Sequence, residues 1–402
     1  MHARLATYLA FGNQGEVEEK YGPWMKTWPG VEDFRAGMPR LWPEGCREIY
    51  FPRKAGGIDK TLLNGVKKRK ISKVEHENKS FAVLPPGITG KWAALNTESC
   101  GLTTGGLLAP QQRKFEGDLA AAAKFFPALN DKSSAEYQRF TWTWCCVNTR
   151  CFYYWRTWGK KQPLPPDDRD EAMVMCPGMD LFNHTADGDG GLCCTVNYDE
   201  RGFTVLSPDM RVQEGEELFV SYGAHGEEDL WVEYGFMLGQ GKNRWDAVRI
   251  DAVVFGDGRI QEERRGNLRK TGYYGDYTLR KDGVCWRTET VARLLIMERE
   301  QWERFVEGSY GDEHDNEDEE VTKKATDDVV SGWIGKVQRE AENSLNGLGN
   351  LTDNEALELF SHEKDGNEEE RLEIARERKG MCLSRWLQIL EICESAIEAM
   401  KD

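Results

Sequence analysis

The sequence is short of the features that mark several common protein classes. No run of 18 apolar residues occurs among its 402 residues, so nothing reads as a membrane-crossing helix and no membrane partner is expected. There is no C-x-x-C anywhere, although the chain carries 11 cysteines. Two adjacent pairs, Cys145-Cys146 and Cys193-Cys194, are ill suited to an ordinary disulfide framework, and the ligand spacing of a structural zinc site is missing. Reduced thiols in a cytosolic or nuclear protein are the simplest reading. Neither a G-x-G-x-x-G fingerprint nor a phosphate loop is present. Positive charge is in deficit: 53 Lys and Arg stand against 69 Asp and Glu, a net of -16. General duplex binding needs clustered cations, so no direct nucleic-acid contact is expected, whereas a basic partner would be attracted. No internal repeat is visible.

What is present is a globular composition, 39% hydrophobic and 30% charged, with room for two or three domains. The opening MHARLATYLAFG is short and lacks a charged start or a cleavage site, so it reads as a helix rather than a signal peptide. Residues 53–110 show poor periodicity, with a basic stretch and a Gly-rich one, and read as a long surface insertion, partly disordered. Within it Lys67-Lys68-Arg69-Lys70 reads as a solvated loop, with a nuclear-import or nucleic-acid patch as the alternative. Two helical runs follow, the second (EYQRFTWTWCCVNTRCFYYW) apolar nearly all round and therefore buried. After the Pro-rich run at 160–168 the period changes to strand: LCCTVNYD and GFTVLSPD form a hairpin about Glu200-Arg201-Gly202, and EELFVSYG is another strand. Beyond 240 the pattern is mostly helical. An amphipathic helix is expected over 290–306, an acidic loop over 312–320, and a helical stretch over 354–400 broken near Gly380.

One region concentrates chemistry: Asp180-Leu181-Phe182-Asn183-His184, then Glu216-Glu217-Leu218-Phe219-Val220-Ser221-Tyr222-Gly223, then Tyr234-Gly235-Phe236. Polar residues close an apolar run, a strand delivers a tyrosine at its end, and a second tyrosine and a phenylalanine follow a dozen residues later. The pattern D-x-x-N-H, E-E-L-F-V-S-Y-G and L-x-x-x-Y-G-F resembles the SET-domain protein methyltransferases. The closest subgroup is that of RuBisCO large-subunit and fungal ribosomal-protein lysine methyltransferases. EKYGPWMKTWPG resembles that subgroup's helical insertion, Asn148-Thr149-Arg150 its S-R-A-F segment, and the helical tail its substrate-binding domain.

The resemblance implies an α+β fold: a SET-like core of short strands, with a helical insertion and an all-helical C-terminal domain. The expected division is 1–138 for the insertion, 139–239 for the core and 240–402 for the tail. It implies S-adenosyl-L-methionine as cofactor and a protein-lysine N-methyltransferase acting on a non-histone protein such as a ribosomal protein or translation factor. In-line transfer from a sulfonium carbon is positioning work, and the acceptor amine must be neutral although free lysine titrates near 10.4. A dry aromatic channel beside a cationic sulfonium disfavours the ammonium by desolvation and by like charge. By resemblance Tyr222 orients the amine or methyl as the catalytic residue. Asn183 and His184 hold the adenosine part, and Arg150 pairs with the cofactor carboxylate. Asp180, Tyr234 and Phe236 shape the lysine channel. His225 has no role assigned, and no metal is expected: Asp187-Gly188-Asp189-Gly190 fails as a calcium loop because Leu192 stands where glycine is needed. The family's opening strands with their G-x-G have no counterpart before Met1, so the expectation is a chain shortened at its start or a half-built cofactor pocket. A catalytically inactive SET-like binding module and a protein-histidine methyltransferase are the alternatives.

Overall fold

The structure, a computed structural model, describes residues 1–51, 80–93, 106–155, 172–186, 192–239, 241–307, 316–362 and 366–401. The basic cluster at 67–70, the Pro-rich run at 160–168, the 187–190 loop and the first part of the acidic stretch 312–320 lie outside the described residues. The fold is α+β, and its contacts divide it into two units. One joins Met1–Leu41 to Leu108–Trp245, the other Trp42–Leu107 to Asp246–Asp402. The grouping departs from a linear division at 138 and 239, because residues 42–51 and 80–93 pack with the C-terminal helices.

The first unit is built on the helix Ala135–Arg150. Ser134 caps it, its side chain accepting the Tyr137 N–H at 3.0 Å. Its first half is amphipathic, but Thr143 to Val147 are buried in succession, as the apolar run required. Trp144 to Val147 form a core with Leu9, Trp28, Phe34, Phe115 and Leu129. Arg40 is buried within it, its guanidinium 4.2 Å from the Phe115 ring and 4.8 Å from Trp144. A four-stranded sheet completes the unit, in the order Asn183–His184, Phe219–Val220, Cys193–Asp199, Gly202–Leu206. The last two strands are the expected hairpin, turned at Glu200-Arg201 with Gly202 at φ +133. Phe219–Val220 runs parallel to both of its neighbours.

In the second unit the helices Asn316–Gly349 and Glu368–Ala399 pack together, with a three-stranded sheet of Val248–Arg249, Thr278–Arg280 and Gly283–Val284 beside them. Residues 80–93 correct the surface-insertion reading. Phe81–Ala82 pairs with Ile49–Tyr50, and Phe81 to Ile88 are all buried. Phe81 lies on Gly347, where any Cβ would strike its ring, and the Asn343 amide donates to the Ser80 carbonyl at 2.8 Å. The Trp386 indole donates to the Val83 carbonyl at 3.0 Å. Such partners are remote in sequence, so local periodicity could not register them. Three helix boundaries also differ from expectation. The amphipathic run 290–306 is two helices, Trp286–Ile296 and Arg299–Val306, because the Glu298 N–H is captured by the Gln301 side chain at 2.9 Å and starts a new helix. Residues 316–320 open a helix rather than continuing a loop. Gly380 does not interrupt Glu368–Ala399: its cost of about 1 kcal/mol is outweighed by the buried face formed by Cys382, Trp386, Ile389 and Cys393.

That buried face also carries Arg385, fully enclosed and paired with Asp246 at 2.7 Å. Removing one partner strands the other charge without water. Asp246→Asn should therefore lower stability by about 3–5 kcal/mol. The exposed pair Arg376–Asp353 should barely move the urea midpoint when broken. Equal midpoint shifts for the two pairs would refute this distinction.

Candidate active site

The site grows from one piece of backbone pairing. In the parallel ladder Asn183 lies opposite Phe219 and His184 opposite Val220. The chain leaving Val220 is then caught twice by the neighbouring strand. The Tyr222 backbone N–H donates to His184 Nδ1 at 3.0 Å, and the Tyr222 hydroxyl donates to the Phe182 carbonyl at 2.7 Å. Accepting at Nδ1 makes His184 a neutral imidazole with its proton on Nε2. The next residue, Gly223, has φ +132, a conformation that a side chain would strain.

Aromatic rings close around the tyrosine. Its ring stacks on His184 at 5.0 Å, lies 5.1 Å from Tyr234 and meets Phe236 edge-on at 6.5 Å. Tyr234 ends the helix Glu227–Tyr234, which stops at the left-handed Gly235. Three contacts fix that helix end. Gln111 donates to the Val232 carbonyl at 2.6 Å, Asn148 to the Glu233 carbonyl at 3.1 Å, and the Trp231 indole to the Gly37 carbonyl at 3.0 Å. Gly37 itself lies so close that a Cβ there would collide with the Gly235 carbonyl. His225 is half-buried at the edge of the group, its ring 6.0 Å from Tyr234.

Burial pushes the Tyr222 phenol up, with Arg150 and Asp180 acting in opposite directions as lesser influences. Burial, with Glu233 and Tyr222 adding to it, pushes the Tyr234 phenol up to about 12. Both therefore remain neutral phenols near pH 7, hydrogen-bond donors rather than bases.

Asp180 sits on the short turn Met179–Leu181 with its side chain fully enclosed. The Trp24 indole donates to both of its oxygens at 3.0 and 2.9 Å, the Gly178 N–H donates at 3.1 Å, and Arg150 Nη1 lies 3.0 Å away. Arg150 Nη1 also donates to the Asp180 carbonyl at 2.8 Å. Asp180 and Arg150 are thus brought together as a buried pair, and this pair fixes the turn that leads into Asn183–His184. Asn183 points outward, its amide donating to Glu217 at 2.5 Å. All seven residues singled out in the sequence belong to the first unit. Sequence reasoning missed Trp24, Gln111 and Asn148 as positioning groups. Their partners lie 156, 121 and 85 residues away, and no local pattern announces such contacts.

No family model matches the chain. Curated proteins that align with it include the ribosomal lysine N-methyltransferase set11 of Schizosaccharomyces pombe, 30% identical over 164 residues, or 41% of this chain and 38% of that protein. SET domain-containing protein 4 of Mus musculus is 25% identical over 364 residues, 85% of this chain and 75% of that one. Ribosomal lysine N-methyltransferase 2 of Saccharomyces cerevisiae is 26% identical over 211 residues, 46% and 40% of the two chains. The aligned part spans about two fifths of each yeast relative. Among solved structures, the SET domain of LSMT bound to lysine and AdoHcy overlaps 73% of this chain and 64% of that one, with 17% identity and a TM-score of 0.35, too loose an overlap to carry weight. In sequence this chain is similar to a SET domain-containing protein and to yeast ribosomal lysine methyltransferases.

Two measurements check the geometry. Gly37→Ala should cost about 1–3 kcal/mol by overpacking against Gly235 and should alter the near-UV dichroism of the aromatic group; an unchanged urea midpoint would refute the close approach. A phenol pushed up in the folded state contributes stability that is complete below its ordinary value near 10 and is lost as pH rises through about 12. Tyr234→Phe should therefore flatten the decline of stability over that window, and parallel declines in the two proteins would contradict the burial of this phenol.

Proposed function

We propose that the chain is an S-adenosyl-L-methionine-dependent protein-lysine N-methyltransferase. Its substrate is a non-histone protein, such as a ribosomal protein or a translation factor, modified in a reducing compartment, the cytoplasm or nucleus. The observation that carries this reading is the anchoring of Tyr222 between Phe182 and His184, inside a wall formed by Tyr234 and Phe236. The two yeast relatives are named as ribosomal lysine methyltransferases, which supports the same chemistry and substrate class. The ten described cysteines are all free thiols, in keeping with the compartment.

The residues present fit the cofactor. Arg150 Nε is buried with no hydrogen-bond partner among the described residues, a donor of the kind that a carboxylate satisfies. Arg150 would hold the amino-acid end, and Asn183 and His184 the adenosine end. When bound, the cofactor supplies an electrophilic methyl group on a cationic sulfur. The chain's own residues do the positioning. Tyr234 and Phe236 present ring faces to the lysine stem and exclude water, which favours the neutral amine. Tyr222 is a neutral phenol whose hydroxyl orients the attacking nitrogen, so no strong base is needed.

Calorimetric titration with S-adenosylhomocysteine tests the cofactor site. Clear binding is expected, and silence from a folded sample would support the inactive binding module instead. Tyr222→Phe should lower methyl transfer to ribosomal proteins roughly ten- to hundredfold while leaving S-adenosylhomocysteine affinity nearly unchanged. Full turnover by this variant would remove Tyr222 from its role.

A further inference from the structure

A second aromatic group lies on the same sheet, away from Tyr222. Phe152 and Tyr154 pack on the hairpin residues Phe203 and Tyr198, with ring centroids 5.4 to 6.0 Å apart. The Tyr154 hydroxyl donates to the Asp199 carbonyl at 2.9 Å and holds the group at the hairpin tip. Cys194, Val196 and Tyr198 alternate onto one face of their strand, opposite Val205 and Phe203. That face is buried at Cys194 and opens outward, until Tyr198 is 52% exposed. Nothing in the chemistry proposed for Tyr222 uses these rings.

Two features identify the occupant. Exposed ring faces carry negative potential and attract cations. Between Leu192 and Glu217 six carboxylates stand against two guanidiniums, so the hairpin and the loop after it are acidic. A basic segment is complementary on both counts. The patch is also continuous with the candidate site. Cys194 pairs with Val220, two residues before Tyr222, and Tyr198 lies about 13 Å further along the strand from Cys194. An extended peptide covers that distance in about four residues.

We propose that the Phe152, Tyr154, Tyr198 and Phe203 patch docks a Lys/Arg-rich segment of the protein substrate, a few residues from the lysine that enters the site. The proposal rests on the methyltransferase reading for its substrate, but its binding test does not. Fluorescence anisotropy with the full chain measures a labelled dodecapeptide of alternating Arg and Gly, against a Gln-Gly peptide of the same length. The Arg peptide should bind more tightly, and its affinity should fall as salt rises. Tyr198→Ala should weaken it roughly three- to fivefold. Leu206→Ala is the control. Leu206 is similarly exposed but pairs with Thr195 on the opposite face, so this variant should bind like the parent.

Equal binding of the two peptides, equal loss in both variants, or no loss in Tyr198→Ala would overturn the proposal. So would a dimer in sedimentation that Tyr198→Ala dissolves, because the patch would then be a self-interface. S-adenosylhomocysteine titration separates the two readings. Its silence with the peptide result intact removes the enzyme and keeps the docking patch. Normal methyl transfer by Tyr198→Ala, with peptide binding also unchanged, removes the patch and keeps the enzyme.

Discussion

Two residue pairs in a parallel ladder hold this site together. Asn183 and His184 lie against Phe219 and Val220 although 36 residues separate each pair in sequence. Such pairing is costly to close and needs a crossing element. Here the hairpin Cys193–Leu206 supplies it and takes the far side of the same central strand. Once the ladder forms, Tyr222 has little freedom. Its backbone is tied to the His184 ring and its hydroxyl to the Phe182 carbonyl, so both ends of the residue are bonded to the one segment Phe182–His184. The stacking of His184 on Tyr222 follows from the same constraint.

The supporting elements work at one remove. Asp180 receives hydrogen bonds from the neighbouring Gly178 and from Trp24 and Arg150, which meet it only in the folded chain, and so it sets where the strand Asn183–His184 begins. Gln111, Asn148 and Gly37 set where the helix Glu227–Tyr234 ends, and with it Tyr234 and Phe236. Positioning to a fraction of an ångström is what a displacement reaction demands of a protein. These contacts are spent on the two walls of the aromatic group rather than on its centre.

How much of this was legible follows from how far each signal reaches. The hairpin about Glu200-Arg201-Gly202 and the buried stretch from Thr143 to Val147 are local patterns, and both stand in the structure where the sequence put them. The convergence of the three motifs was legible only because their residues resemble a family; nothing in their spacing forces a parallel ladder. The Trp24–Asp180 contact and the close approach of Gly37 to Gly235 left no trace at all, since a tryptophan in a helix and a glycine at a helix end have commoner uses. Residues 80–93 were misread for the opposite reason. Their periodicity is poor because short segments enclosed on all sides have no exposed face to alternate with.

Electrostatics explains why Asp180 is so heavily bonded. An unneutralised carboxylate close to Tyr222 would stabilise an incoming ammonium and so oppose formation of the free amine. Pairing it with Arg150 avoids that outcome: the two charges push the Tyr222 phenol in opposite directions, and burial dominates instead. The Trp24 indole and the Gly178 amide occupy further lone pairs, so the carboxylate turns inward toward protein donors. The Tyr222 hydroxyl, bonded to the Phe182 carbonyl, is then a neutral dipole beside rings that are themselves weakly attractive to cations. An environment of that kind favours uncharged groups, because desolvation works against any charge that enters it.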